Sequence, residues 1–112
     1  ASMVAHANPQ APTVAAGTAS FANPNSATLE ITNSPNAIIN WQSFDIGVGE
    51  TTRFIQQDAA SAVLNRVTTG NASEILGNLL SNGRVFLVNP AGILVGRDGM
   101  IDTAGLVMST LN

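Results

Sequence analysis

The chain has 112 residues, so it holds one domain at most, with room for a single modest core. Hydrophobic residues make up 45% and charged residues 10%, against roughly 25% charged in an ordinary globular chain, which excludes charge-driven disorder. Four scattered arginines, no lysine and seven acids give a net charge of −3, which excludes nucleic-acid binding, since that needs basic residues in clusters.

Residues 1–16 read as a flexible N-terminal segment, small and Pro-containing, ahead of a domain over 17–112. Ala5-His6-Ala7 has the small-x-small pattern that ends a secretory signal peptide, but a basic region and an apolar stretch before it are missing. It fits the residual tail of such a signal; an Ala-rich linker, or a cloning scar at Ala1-Ser2-Met3, fits as well. His6 is the only histidine, and cysteine is absent. Disulfides, thiolate metal sites, His-based metal sites and Ser-His-Asp catalysis therefore have no parts. No apolar run approaches the ~18 residues of a membrane-spanning helix.

From Thr28 onward strands dominate. Thr28-Leu29-Glu30-Ile31-Thr32 alternates polar and apolar, as a half-buried strand does. Phe44, Ile46 and Val48 continue an alternation, interrupted by Gly47 and Gly49. Val85-Phe86-Leu87-Val88 and Ile93-Leu94-Val95 are unbroken apolar runs, the pattern of strands covered on both faces. Asn40, Asn65, Asn89 and Asn112 each end a strand-like step, at spacings of 25, 24 and 23 residues. A period in the low twenties suits a solenoid of short strands and tight corners, with asparagines stacked coil on coil. One segment departs from this: Asn71-Ala72-Ser73-Glu74 has capping-box spacing, and Ile75, Leu76, Leu79 and Leu80 share one helical face closed by Gly83. That predicts one short helix.

Candidate chemistry is thin. Asp98 and Asp102 are the best carboxylate pair, but four residues apart across Gly99 they read as turn and solvated-face residues. Gly92-Ile93-Leu94-Val95-Gly96-Arg97-Asp98-Gly99 is glycine-spaced without the order or the following helix of a phosphate cradle. Trp41 and Phe44 could stack on a sugar, although an aromatic pair beside a strand is more often core. No Ser or Thr has a base beside it. The sequence predicts no enzyme, no cofactor and no metal.

Several ordered motifs then carry a resemblance. Ala37-Ile38-Ile39-Asn40-Trp41-Gln42-Ser43-Phe44-Asp45-Ile46-Gly47 is similar to the opening strand block of the filamentous-haemagglutinin-type secretion domain. Glu50-Thr51-Thr52-Arg53-Phe54 and Ser61-Ala62-Val63-Leu64-Asn65-Arg66-Val67 continue it. Ser81-Asn82-Gly83-Arg84-Val85-Phe86-Leu87-Val88-Asn89-Pro90-Ala91-Gly92-Ile93 resembles its most diagnostic stretch, and Gly105-Leu106-Val107-Met108-Ser109-Thr110 closes it. The likeness covers about Gly17 to Asn112. Ala91 stands where the family often has asparagine, and Asn23-Pro24-Asn25, which shares the letters of another family motif, precedes the framework strands. The family domain is roughly twice this length, so the chain reads as a fragment or a short stand-alone member.

The resemblance implies an all-β fold, a right-handed parallel β-helix with N-terminal cap strands. It also implies a function: the non-catalytic secretion signal of a large adhesin-like exoprotein in a two-partner secretion system of a Gram-negative bacterium. The partner would be an outer-membrane barrel transporter, whose periplasmic domains bind the extended chain before it folds at the cell surface or beyond it. On this resemblance Asn40, Trp41, Gln42 and Phe44 would recognise the partner or form the cap, and Asn89, Pro90, Gly92 and Ile93 would fix a coil corner. Two other readings stand beside it. Open strand edges could join copies head to tail into an extracellular filament, and fold analogy alone would suggest a carbohydrate-active enzyme.

Overall fold

The computed structural model describes residues 8–110; Ala5-His6-Ala7 and Asn112 lie outside them. Among the described residues there are twelve strands and no helix. They are β1 (Thr13–Ala16), β2 (Ala19–Asn25), β3 (Thr28–Asn33), β4 (Ala37–Trp41), β5 (Thr51–Ile55), β6 (Ala62–Val67), β7 (Ser73–Ile75), β8 (Asn78–Ser81), β9 (Arg84–Val88), β10 (Ile93–Val95), β11 (Met100–Asp102) and β12 (Gly105–Ser109). The chain winds through them as a parallel β-helix of four coils. One five-stranded sheet runs β1-β4-β6-β9-β12, another β11-β8-β5-β3-β2, and β7 pairs with β10 on a third, shorter side. Ile46 extends that third side by a parallel bridge to Ile75.

Two strands break the parallel rule. β1 lies antiparallel on β4 and β2 antiparallel on β3, so the entering chain closes the first coil along both long sheets. Residues 8–16 take part in this cap: Asn8 and Pro9 are buried, Gln10 bridges to Ser43, and the largely exposed β1 pairs with β4. The Asn23-Pro24-Asn25 run ends β2 at the hairpin into β3, where Asn25 Oδ1 accepts from Ala27 N at 2.9 Å and Asn23 Nδ2 donates to Thr28 O at 3.1 Å.

The core lies between the sheets and is built of columns of inward side chains at matched register. Ala37, Val63, Val85 and Leu106 form one column, and Leu29, Thr52, Leu79 and Ile101 another. Ile31, Ile39, Phe44, Ile46 and Phe54 are fully buried beside them. Phe21, Trp41 and Phe44 meet edge to face, with ring centroids 5.8 and 5.7 Å apart, and Phe44 stacks on Phe54 at 6.4 Å. Such contacts hold aromatic cores in one arrangement rather than a fluid one.

The short helix expected near Asn71–Gly83 is absent; the segment forms β7 and β8. Both strands lie in register with neighbouring coils, β7 with β10, and β8 with both β5 and β11. Glu74 does not cap: its backbone N–H donates to Asp45 Oδ1 at 2.8 Å. Ladder pairing thereby takes over the backbone of a segment whose isolated preference is helical, the usual tertiary override of local propensity. Gly77 belongs to this arrangement, since a Cβ there would collide with the carbonyl oxygens of Gly47 and Glu50.

The asparagine repeat is also revised. Asn65 pairs with Ile39 and Leu87, while Asn40 pairs with Arg66. Asn40 and Asn65 do not stack, because the coils differ in length: register partners Ala37, Val63, Val85 and Leu106 are 26, 22 and 21 residues apart. The period is that of a solenoid, but matching letters are not matching positions.

Candidate functional site

The residues singled out in the sequence separate into two groups. Trp41 and Phe44 are core residues, 2% and 0% exposed, so their faces are unavailable to a sugar. Trp41 alternates inward at the end of β4, whereas Asn40 points outward, where its Oδ1 accepts from Arg66 Nε at 2.9 Å. The Gln42 side chain is exposed. Its backbone is tied at both ends: Gln42 N donates to Gln10 O at 3.1 Å, and Gln42 O accepts from Thr69 Oγ1 at 2.6 Å. Of the four, Gln42 alone offers an exposed side chain at a rigidly held position.

The second group forms the corner between β9 and β10. Asn89 is fully buried. Its Nδ2 donates to Asn71 O and to Ser73 Oγ, both at 2.8 Å, and its Oδ1 accepts from Ala91 N at 3.0 Å. Gly92 N donates back to Asn89 O at 3.0 Å, closing a tight turn with Pro90 at its second position, where the proline ring presets φ. Gly92 has φ +123°, a value side-chain-bearing residues rarely adopt. Its carbonyl accepts from Ser73 N at 2.9 Å. Ile93 then starts β10 opposite Ser73. One asparagine thus knits its own corner to the corner of the preceding coil.

Sequence reading missed a second polar corner. Gln56 and Asn33 are both 5% exposed. Gln56 Nε2 donates to Arg84 O at 2.8 Å and to Ser81 Oγ at 3.1 Å, and its Oε1 accepts from Asn33 Nδ2 at 3.3 Å. Asn82 grips the Gln56 backbone from the next coil, accepting from its N–H at 2.7 Å and donating to its carbonyl at 2.8 Å. The spacing signal was present, 23 residues from Asn33 to Gln56 and 26 from Gln56 to Asn82, but the chain of partners mixes residue types. A cleft of about 310 Å³ opens on the cap side, lined by Asn8, Gln10, Phe21, Asn23 and Leu29.

Asp98 and Asp102 are exposed, Asp98 in a turn and Asp102 at the end of β11. Gly92 to Gly99 spans β10 and the turn after it rather than a strand-to-helix loop. No cluster of three or more His, Cys, Asp or Glu side chains able to hold a metal exists among the described residues, and no helix among them is long and apolar enough to cross a membrane. The geometry is that of a stacked, corner-bonded scaffold.

A family model described as the TPS secretion domain matches residues 5–112. Two curated relatives are heme/hemopexin-binding proteins of Haemophilus influenzae. One, from strain Rd, is 40% identical over 91% of this chain, and the other 43% identical over 69%. The chain spans only 11% and 8% of their lengths. The crystal structure of the HMW1 secretion domain from Haemophilus influenzae superposes with a TM-score of 0.91 at 44% identity, over 94% of this chain and 28% of that one.

Proposed function

The chain belongs to the family of TPS (two-partner secretion) secretion domains, and on that premise we propose that it hands a large exoprotein to a dedicated outer-membrane barrel transporter. The transporter's periplasmic domains bind the chain while it is extended. The chain then folds outside the cell, and its capped first coil is the template on which later coils are laid. Edge pairing of an extended segment is a recognised binding mode, and the lack of cysteine keeps disulfides from blocking passage of an unfolded chain.

The observation that carries this reading is the asymmetry of the solenoid. At the entering end, β1 and β2 close the first coil, and Ala37, Ile39 and Phe44 are fully buried. Antiparallel strands occupy that side of the first coil, so further coils can stack only on the side away from the cap, which supports a template role.

The test is export of a reporter fused behind residues 1–112 in a Gram-negative host, with and without the partner transporter. Reporter in the medium only when both are present is the expected result. Retention of the reporter despite a functional transporter would overturn the reading.

A further inference from the structure

The outward face of the sheet containing β4 carries an apolar ladder. Register sets Ile38, Leu64, Phe86 and Val107 side by side on four parallel strands, with Ala16 of the cap opposite Ile38. With strands ~4.8 Å apart, the four span about 14 Å. Val107 is 50% exposed and the other three half-buried. A hollow of about 280 Å³ lies between Ile38, Ala62, Leu64 and Phe86. Strands such as Val85–Val88 have the all-apolar pattern of sheets covered on both faces, yet only the inner face is covered among the described residues.

The charges on this face point to what covers it. Arg66 and Arg84 are the only charged residues on the five strands. Arg66 stands two residues beyond Leu64 and Arg84 two before Phe86, so the guanidinium groups flank the middle of the ladder from opposite sides. Neither meets a carboxylate: Arg66 Nε donates to Asn40 Oδ1, and Arg84 Nη2 donates to Ala60 O at 2.8 Å. The acid in the loop before β6, Asp58, turns its Oδ1 to the N–H groups of Ala60 and Ser61. Two such faces laid together would oppose four guanidinium groups, which disfavours a symmetric pair.

The complement stands elsewhere on the same chain. Asp98, Met100 and Asp102 present carboxylate, thioether and carboxylate in order, all exposed, with Met100 at 49%. The one ion pair among the described residues is Arg53–Glu30, so both aspartates are unpaired. We propose that the ladder docks a second copy of this chain, with Met100 of one copy laid on Leu64 and Phe86 of the other and its two aspartates against Arg66 and Arg84, one to each. The contact is heterologous and leaves one surface of each kind open, so copies add in rows beside one another. Its small area makes it weak, and its exposed charges make it sensitive to salt.

Sedimentation velocity of the 112-residue chain over rising concentration, at low and high ionic strength, tests this directly. Self-association at low salt, weakened about tenfold or more in molar salt, is expected. R66E/R84E and D98R/D102R should each abolish it, with circular dichroism verifying that both variants fold. Mixing the two variants should restore association, because each then meets the opposite charge. A chain that stays monomeric throughout, charge reversals without effect, or a mixture that does not associate would overturn the proposal. So would binding to vesicles of anionic phospholipid without self-association, which would give the face to a membrane.

Discussion

Trp41 Nε1 donates to Asn65 Oδ1 at 2.9 Å, joining the first and second coils inside the core. Asn65 is fully buried, in a register column with the apolar Ile39, Leu87 and Met108. Its Nδ2 donates to Phe86 O at 3.2 Å, so it links a third coil as well. A polar side chain is tolerated there only because both ends of its amide are bonded. Asn65→Ala leaves the indole N–H and the Phe86 carbonyl without this partner and opens a small cavity; a loss of about 2–4 kcal/mol in urea unfolding is expected. The loss should shrink markedly when Trp41 is already Phe, because the orphaned donor is then gone. Equal losses in both backgrounds would mean that the bond contributes nothing.

Export and folding can be separated within the Asn40–Phe44 stretch. Phe44→Ala removes a fully buried ring packed on Trp41 and Phe54 and should cost about 3–5 kcal/mol. Gln42→Ala removes an exposed side chain and should stay within about 0.5 kcal/mol of the parent. Secretion of the reporter by the Gln42 variant therefore reads partner recognition without a folding contribution. If it is exported at the parental rate, recognition does not use Gln42.

Gly83 and Gly77 are glycines for different reasons. A Cβ on Gly83 would lie 2.6 Å from Cδ of Gln56, a side chain locked by its own hydrogen bonds. Gly83→Ala should lower stability by roughly 1–3 kcal/mol. At Gly77 the obstacles are backbone carbonyls, which cannot rotate away, so Gly77→Ala should be the more damaging of the two. Thermal unfolding of both variants ranks them, and the reverse order would contradict the packing described.

Much of the fold was legible because period-2 patterning at Leu29 and Ile31 and the low-twenties spacing both come from the coil itself. What misled was local. Asn71 to Leu80 has the cap and the apolar spacing of a helix, and only the partners on β5, β10 and β11, distant in sequence, make it two strands. The asparagine ladder failed for a related reason: coil length varies between corners, so spacing cannot fix register. The cap strands entered only through the family resemblance and left no mark in the residue pattern, because Thr13–Ala16 and Ala19–Asn25 bury little of their own surface; they are strands by virtue of what they cover.

The surface ion pair should matter little. Arg53 Nη1 lies 3.3 Å from Glu30 Oε2, with side chains 48% and 27% exposed. Water and salt screen such a pair, and holding two long side chains in place offsets much of the attraction. Glu30→Gln should shift stability by less than about 1 kcal/mol, and the shift should vanish in high salt. A larger effect measured by denaturant titration would show that the outward face of this sheet contributes more than its exposure suggests.

Asn89 is the opposite case, because its side chain is fully buried, its bond to Ser73 is buried, and those to Asn71 and Ala91 are partly so. Asn89→Ala removes all three bonds and leaves the buried Ser73 hydroxyl without this partner, and a loss of about 1–3 kcal/mol is expected. Asn89→Asp separates bonding from volume. The isosteric carboxylate still accepts from Ala91 N, and Ser73 can turn its hydroxyl to donate, but the oxygen replacing Nδ2 now faces the Asn71 carbonyl. Two acceptors at the former 2.8 Å separation repel, and the carboxylate is buried without a cation, so the Asp variant should be at least as unstable as the Ala variant at neutral pH. Acidification should then narrow the gap, since the introduced carboxyl, once protonated, can donate to the Asn71 carbonyl again. Urea titrations of both variants at neutral and acidic pH check this, and a neutral-pH Asp variant as stable as the parent would remove Asn89 Nδ2 from the account of the corner.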